Sequence, residues 1–179
     1  MNLMDSKWIY IGLVAGLSGC ASDSRLSLGV SDPCESLQAI IADFDTGFSS
    51  YRGARNDFDS FTLFRAKEEL VKGHCEVWLW AGGDSAYVCS ANTPVEEVAE
   101  QRYQNSLAFV EECVGSAWQQ ETVTRERDGN YLGLATRFTS PNEPRLVISV
   151  QNITPPGSYR NLRSNYLFIG AAGRSPAPE

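Results

Sequence analysis

Residues 75–89 constrain the fold of this chain more than any other stretch. Cys75-Glu76-Val77-Trp78-Leu79-Trp80 and Ser85-Ala86-Tyr87-Val88-Cys89-Ser90 are rich in β-branched and aromatic residues, and they flank the turn-forming Ala81-Gly82-Gly83-Asp84. This pattern predicts an antiparallel hairpin. One residue of slip separates two registers. In one, Cys75 lies opposite Cys89 and a cross-strand bridge can close; in the other, Trp78 lies opposite Tyr87 and the two thiols point to opposite faces. In either register Trp78 and Trp80 share one face of their strand, while Cys75, Val77 and Leu79 share the other. A strand apolar on both faces calls for cover on both sides. Helices would supply one cover, and the C-terminal segment around Tyr159 to Ile169 or a partner the other.

The remaining elements follow from periodicity and capping chemistry. Asp32-Pro33 reads as an N-cap with proline at the first helical position, and Leu37, Ile40, Ile41, Phe44 and Phe48 recur at helical spacing, which predicts a helix from Pro33 to Gly47. Thr93-Pro94-Val95-Glu96 has the pattern of a capping box. It precedes a stripe of Val95, Ala99, Tyr103, Leu107, Val110 and Val114 that Gly115 would end. Further strands are expected at Trp118 to Arg125, Leu132 to Phe138, Leu146 to Gln151 and Asn165 to Ile169, separated by turns at Asp128-Gly129-Asn130 and Ser140-Pro141-Asn142. The order predicts one α+β domain over residues 33–169, with two helices packed on an antiparallel sheet of about five to six strands. No internal repeat divides it. Residues 20–32 read as a polar tether and 170–179 as a loose tail.

Ahead of this domain, an apolar run from Trp8 to Leu17 ends in Leu17-Ser18-Gly19-Cys20. The run has the length of a signal peptide and is too short to span a hydrocarbon core of about 30 Å. Leu17-Ser18-Gly19-Cys20 resembles the lipobox of bacterial lipoproteins. That resemblance implies removal of residues 1–19, a diacylglyceryl group on the Cys20 thiol and acylation of the new amine. Ala21 and Ser22 follow, and the absence of Asp directly after the cysteine implies an outer-membrane lipoprotein facing the periplasm in a Gram-negative envelope. Each buried methylene of the acyl chains would contribute about 0.8 kcal/mol, so several chains make the membrane anchor effectively permanent.

Four cysteines remain once Cys20 is assigned to lipid: Cys34, Cys75, Cys89 and Cys113. An even number in an exported chain reads as two disulfides, and the paired close spacings of a structural zinc site do not occur. Four cysteines allow three connectivities. Cys34 opens the first helix and Cys113 closes the second, so antiparallel helices would bring them together, which favours Cys34 with Cys113 and Cys75 with Cys89. The stretch from Ala66 to Val114, with Lys72-Gly73-His74-Cys75, Tyr87-Val88-Cys89 and Cys113-Val114, also resembles small uncharacterised exported bacterial proteins that carry a cysteine hairpin before a helix. That resemblance supports the fold and implies no activity.

Little in the chain points to catalysis. The single histidine, His74, adjoins a cysteine expected to be oxidised, and neighbours on a strand point apart, so a Cys-His nucleophile is not expected. No Gly-x-Ser-x-Gly elbow is present, and a zinc site built from two or three histidines is impossible. Asp45-Thr46-Gly47 resembles the motif of aspartic proteases but falls at a helix end, where Gly47 serves as a C-cap. Asp43-x-Asp45-x-Gly47 also opens like a calcium loop, yet Ala54 stands where the closing Glu belongs. Glu96-Glu97 and Glu111-Glu112 read as solvated helix positions, and Arg52-Gly53-Ala54-Arg55 as a solvated loop. The formal net charge of -7 disfavours nucleic acid as a partner.

The aromatic strand face is the remaining candidate site. Trp78 and Trp80, joined by Tyr87 in one register, would stack on sugar rings or anchor a protein interface if exposed, and would be core if covered. The sequence therefore predicts a lipid-anchored, non-enzymatic envelope protein that binds an envelope or secreted protein and needs no cofactor or metal. A glycan- or peptidoglycan-binding module using the same aromatic face is the alternative.

Overall fold

The computed structural model describes residues 29–71, 74–155, 157 and 162–175. The apolar run and Leu17-Ser18-Gly19-Cys20 lie outside the described residues. The chain forms an α+β fold with helices α1 (Pro33–Ala42) and α2 (Glu96–Val114) and strands β1 (Arg52–Asp57), β2 (Phe61–Ala66), β3 (Cys75–Trp80), β4 (Ser85–Thr93), β5 (Gln119–Arg127), β6 (Asn130–Thr139), β7 (Leu146–Ile153) and β8 (Arg163–Ala171). All strands join one antiparallel sheet in the order β1-β2-β3-β4-β8-β7-β6-β5. Two four-strand meanders thus meet at β4 and β8. Helix α2 carries the chain from β4, at the middle, to β5, at the far edge.

Eight strands replace the five to six expected, because the hairpin of β1 and β2 carries weak sequence signals. Arg52-Gly53-Ala54-Arg55-Asn56-Asp57 has no β-branched residue and no alternation, yet it pairs with β2 as the edge strand of the sheet. Polar, charged residues suit an edge, where they discourage pairing with other chains. Arg52 and Arg55, read above as loop cations, lie 5.2 and 6.0 Å from the Phe64 ring centroid, and Arg55 Nε bonds Asp57 Oδ1 at 2.8 Å.

Both helix starts show how side chains meet orphan amides. Asp32 Oδ1 accepts from the Glu35 N–H at 3.0 Å, with Pro33 in the first turn. Helix α1 stops at Ala42, short of the expected Gly47; a 3-10 turn at Phe44–Thr46 intervenes, and Gly47 caps it at φ 69°. Ahead of α2, Thr93 Oγ1 accepts from the Val95 N–H at 3.2 Å. The expected reciprocal capping box is absent, since the helix begins at Glu96 with Val95 as its cap, and Val95 is exposed rather than part of the buried stripe. Ala99, Tyr103, Ser106 and Val110 form that stripe, and Gly115 ends the helix.

The helices cover one face of the sheet. Leu37 and Ile40 of α1 and Tyr103 and Val110 of α2 share a buried cluster with Val77, Tyr87, Ile148, Val150, Leu167 and Ile169. Each such side chain contributes about 1.5–3 kcal/mol on burial. Tyr103 Oη also meets Thr136 Oγ1 at 2.5 Å, tying α2 to β6. The structure contains the disulfides Cys34–Cys113 and Cys75–Cys89. The first clamps the two helices and the second joins β3 to β4.

Described structure extends past both expected ends of the domain. The Gly29 N–H bonds the Leu70 carbonyl and Val30 packs on the core. At the other end β8 runs to Ala171 and a 3-10 turn follows at Ala172–Arg174, where a loose tail was expected. Gly133 is the glycine with the closest backbone neighbour. A register shift between Arg125 and Glu126 makes a bulge in the pairing of β5 with β6, and Gly133 beside it has φ +149°. A Cβ there would lie 2.0 Å from the Asn152 carbonyl oxygen.

Two stability predictions follow from this frame. Cys34 and Cys113 are 79 residues apart, Cys75 and Cys89 only 14. Replacing the first pair by serine is expected to cost about 4.5 kcal/mol and the second about 3 kcal/mol by the loop-entropy relation. Urea unfolding of the two double variants checks that order. Gly133→Ala is expected to cost about 2 kcal/mol or more, because the backbone of β7 must move away; the same unfolding measurement reads it.

Candidate functional site

Hairpin register divides the candidate residues between the two faces. Cys75 pairs with Cys89, Val77 with Tyr87, and Trp78 with Ala86. Strand alternation then places Tyr87 among the helices, opposite to the tryptophans. This corrects the expectation that Tyr87 could extend the Trp78 and Trp80 face. Its side chain is wholly buried; the Leu70 N–H donates to its hydroxyl at 3.1 Å, and the hydroxyl donates to the Glu68 carbonyl at 2.8 Å. Burial pushes the phenol well above its ordinary value, opposed by the Leu70 N–H and reinforced by the Glu68 and Glu69 carboxylates. Tyr87 is therefore a core anchor for the 68–70 segment.

Among the described residues no α-helix lies on the opposite face of the sheet, where Ala86, Val88, Val147 and Phe168 form a second, smaller buried cluster. Register aligns Phe61 with Trp80 and Leu63 with Trp78 on this face, and Val88 with Phe168 and Ser90 with Tyr166 beyond them. The rings of Phe58 and Phe61 stack at 4.8 Å and 19°, Phe61 and Trp78 at 5.9 Å and 28°, and Trp78 and Trp80 meet edge-on at 5.9 Å and 63°. Phe58 ends this row at 55% exposure, while Phe61, Trp78 and Trp80 are half-buried. Two polar contacts fix the tryptophans. Trp78 Nε1 donates to Glu76 Oε2 at 3.0 Å. The Arg174 guanidinium lies 5.0 Å from the Trp80 ring centroid, held there by a 2.7 Å bond from its Nε to Asp84 Oδ2.

Beside the row a groove of about 570 Å³ crosses the uncovered face. Trp78 and Trp80 of β3 line one part of it and Arg125, Glu126 and Arg127 of β5 another. Those strands are five steps apart in the sheet, about 24 Å along its surface at 4.8 Å per step. Residues so far apart share a groove because the sheet curls. Val88, Phe168 and Tyr166 contribute apolar surface between them, and Gln151 of β7 contributes an amide. Arg125 is partly buried, and desolvation lowers its pKa from the ordinary arginine value.

The other sequence candidates have structural roles or no partners in chemistry. His74 is exposed, and Cys75 beside it is in a disulfide, so no thiol is available there. Asp43 accepts bonds from Thr46 Oγ1 and the Ser50 N–H, and Asp45 pairs with Arg145 across the loop. Both carboxylates organise the turn after α1. Among the described residues no group of three or more His, Cys, Asp or Glu lies close enough to hold a metal ion, and no helix is long and apolar enough to cross a membrane.

Sequence reasoning reached Trp78 and Trp80 but missed Phe58, Phe61, Tyr166, Phe168, Arg125 and Gln151. A usable signal existed for two pairs. Phe61-x-Leu63 and Tyr166-x-Phe168 each put apolar residues on one strand face, and recognising β2 and β8 at full length would have aligned them with the tryptophans. Arg125 and Gln151 carry no such signal, since only the curl of the sheet brings them to the groove.

The Tyr87 geometry predicts an alkaline weakness. A phenol whose folded-state pKa is raised above about 10 stabilises the fold fully below that pH, and the contribution is lost as pH rises toward the folded-state value. Tyr87→Phe is expected to cost about 1 kcal/mol or more at neutral pH and to flatten the fall in stability above pH 10. Thermal melts from pH 7 to 11 check both. Comparison of the chain with protein-family models, curated proteins and solved structures finds no match.

Proposed function

We propose that this chain is a lipid-anchored envelope protein, held in the outer membrane of a Gram-negative cell through Cys20 and facing the periplasm, that acts as a non-enzymatic binding module. Its working surface is the uncovered sheet face, and its partner is an envelope or secreted protein. The observation that carries this reading is the row Phe58, Phe61, Trp78 and Trp80, partly exposed on a sheet face that no helix covers among the described residues. Aromatic rings gathered beside a groove, with Glu76 and Asp84 orienting the tryptophans, have the composition of an interface centre with a polar rim. The two disulfides hold that face rigid, which limits the ordering cost of binding.

Glycan binding is the second reading, favoured by the near-parallel stack of Phe61 and Trp78, which offers flat ring faces of the kind that sugars stack on. The two readings separate experimentally. Trp78→Ala with Trp80→Ala is expected to abolish capture of a stoichiometric protein from crosslinked membranes while the melting curve stays cooperative. If the double variant still captures the protein, the docking reading fails. If instead the native protein pellets with purified sacculi and the double variant does not, the glycan reading replaces it. Anchoring has its own test: Cys20→Ser is expected to end incorporation of labelled palmitate, and continued labelling would contradict it.

A further inference from the structure

The sheet face away from the helices holds polar groups that nothing among the described residues satisfies. Among the described residues Arg125 makes no hydrogen bond or ion pair, and its Nε is shut off from solvent. Arg137 Nε and Ser149 Oγ are likewise buried without partners, and these two residues lie opposite each other on β6 and β7. Two positions along β7 from Ser149, Gln151 is only 8% exposed and lines the groove, and its amide makes no hydrogen bond among the described residues. Strand alternation and register put all four on the face of Trp78 and Trp80. Natural folds rarely leave such buried groups without a partner, a guanidinium least of all.

Charge sharpens the reading. The chain carries a net charge of -7, yet the groove is lined by Arg125, Arg127 and Arg174 against one acid, Glu126. Arg174 is engaged by Asp84 at 2.7 Å, and Arg127 lies 3.9 Å from Asp128. Among the described residues Arg125 is left without a counter-charge, partly desolvated in a groove that Val88 and Phe168 also line. A volume of about 570 Å³ falls within the range of roughly 300–1,000 Å³ for small-molecule sites.

We infer that the groove is a binding site for a small amphiphilic anion: an apolar body lies against Trp78, Trp80 and Phe168, and its single carboxylate pairs with Arg125 while the Gln151 amide donates a further hydrogen bond. A neutral sugar would leave Arg125 unpaired, and an apolar ligand without charge would leave both polar groups unsatisfied. This site goes beyond the docking of a protein on the same face and does not require it.

Octanoate and octan-1-ol serve as probes, titrated by calorimetry and by tryptophan fluorescence into the protein carrying Cys20→Ser, which lacks the acyl chains. The carboxylate is expected to bind about ten- to a hundredfold more tightly than the alcohol, the range for one charge-assisted bond. Arg125→Gln is expected to erase that preference and leave alcohol binding unchanged, Gln151→Leu to reduce it in part, and Trp80→Ala to weaken both probes alike. Equal affinity for the two probes, a preference that survives Arg125→Gln, or binding of neither probe would overturn the proposal. So would binding of a short acidic peptide with leucine spacers where octanoate fails, which would assign the groove to a protein segment. Protein capture from membranes is measured separately, so loss of the anion site and loss of the docking reading are distinguishable.

Discussion

The pairing of Cys75 with Cys89 across β3 and β4 is the constraint on which the rest of the molecule depends. A slip of one residue would turn every side chain of one strand to the other face. The disulfide forbids the slip, since it requires the two cysteines to share a face and a register position. Tyr87 then goes inward, where its hydroxyl holds the backbone of Glu68 and Leu70, and Trp78 and Trp80 go outward. The same bridge therefore sets both the centre of the core and the composition of the open face. The second bridge acts at a distance, fixing α1 to α2 so that the helices cover only the inner face.

What was legible in the sequence follows the strength of local signals. Helix α1 begins where Asp32-Pro33 places it, and α2 ends at Gly115, because capping chemistry is local. Strands β3, β4, β6 and β7 announce themselves through β-branched and aromatic residues. The hairpin of β1 and β2 does not: Arg52 to Asp57 is an edge strand exposed to water, and an edge needs charge more than apolar alternation. The two tryptophans were legible as a pair, but whether Tyr87 joined them was not, because periodicity alone leaves register open. Arg125 and Gln151 were illegible for a different reason. They reach the groove through long-range curl across several strands, with the bulge beside Gly133 marking where the β5 and β6 hairpin departs from regular pairing.

The two faces of the sheet differ in what their polar groups do. Carboxylates on the helix side cap turns and pair with arginines, as Asp43 and Asp45 do after α1. On the other face Glu76 and Asp84 hold Trp78 and Arg174, Arg125 has no partner among the described residues, and aromatic rings stack in a row that ends in exposed Phe58. Rigid strands position those groups better than loops would.

Site-specific photocrosslinking in living cells tests the central claim, that the uncovered sheet face is the working surface, most directly. A photoreactive residue placed at Phe58, in the aromatic row, is compared with one at Val98, which is exposed on α2. The account predicts a discrete adduct from position 58 and none from position 98. An adduct from position 98 alone would place the working surface on the helix side and contradict it.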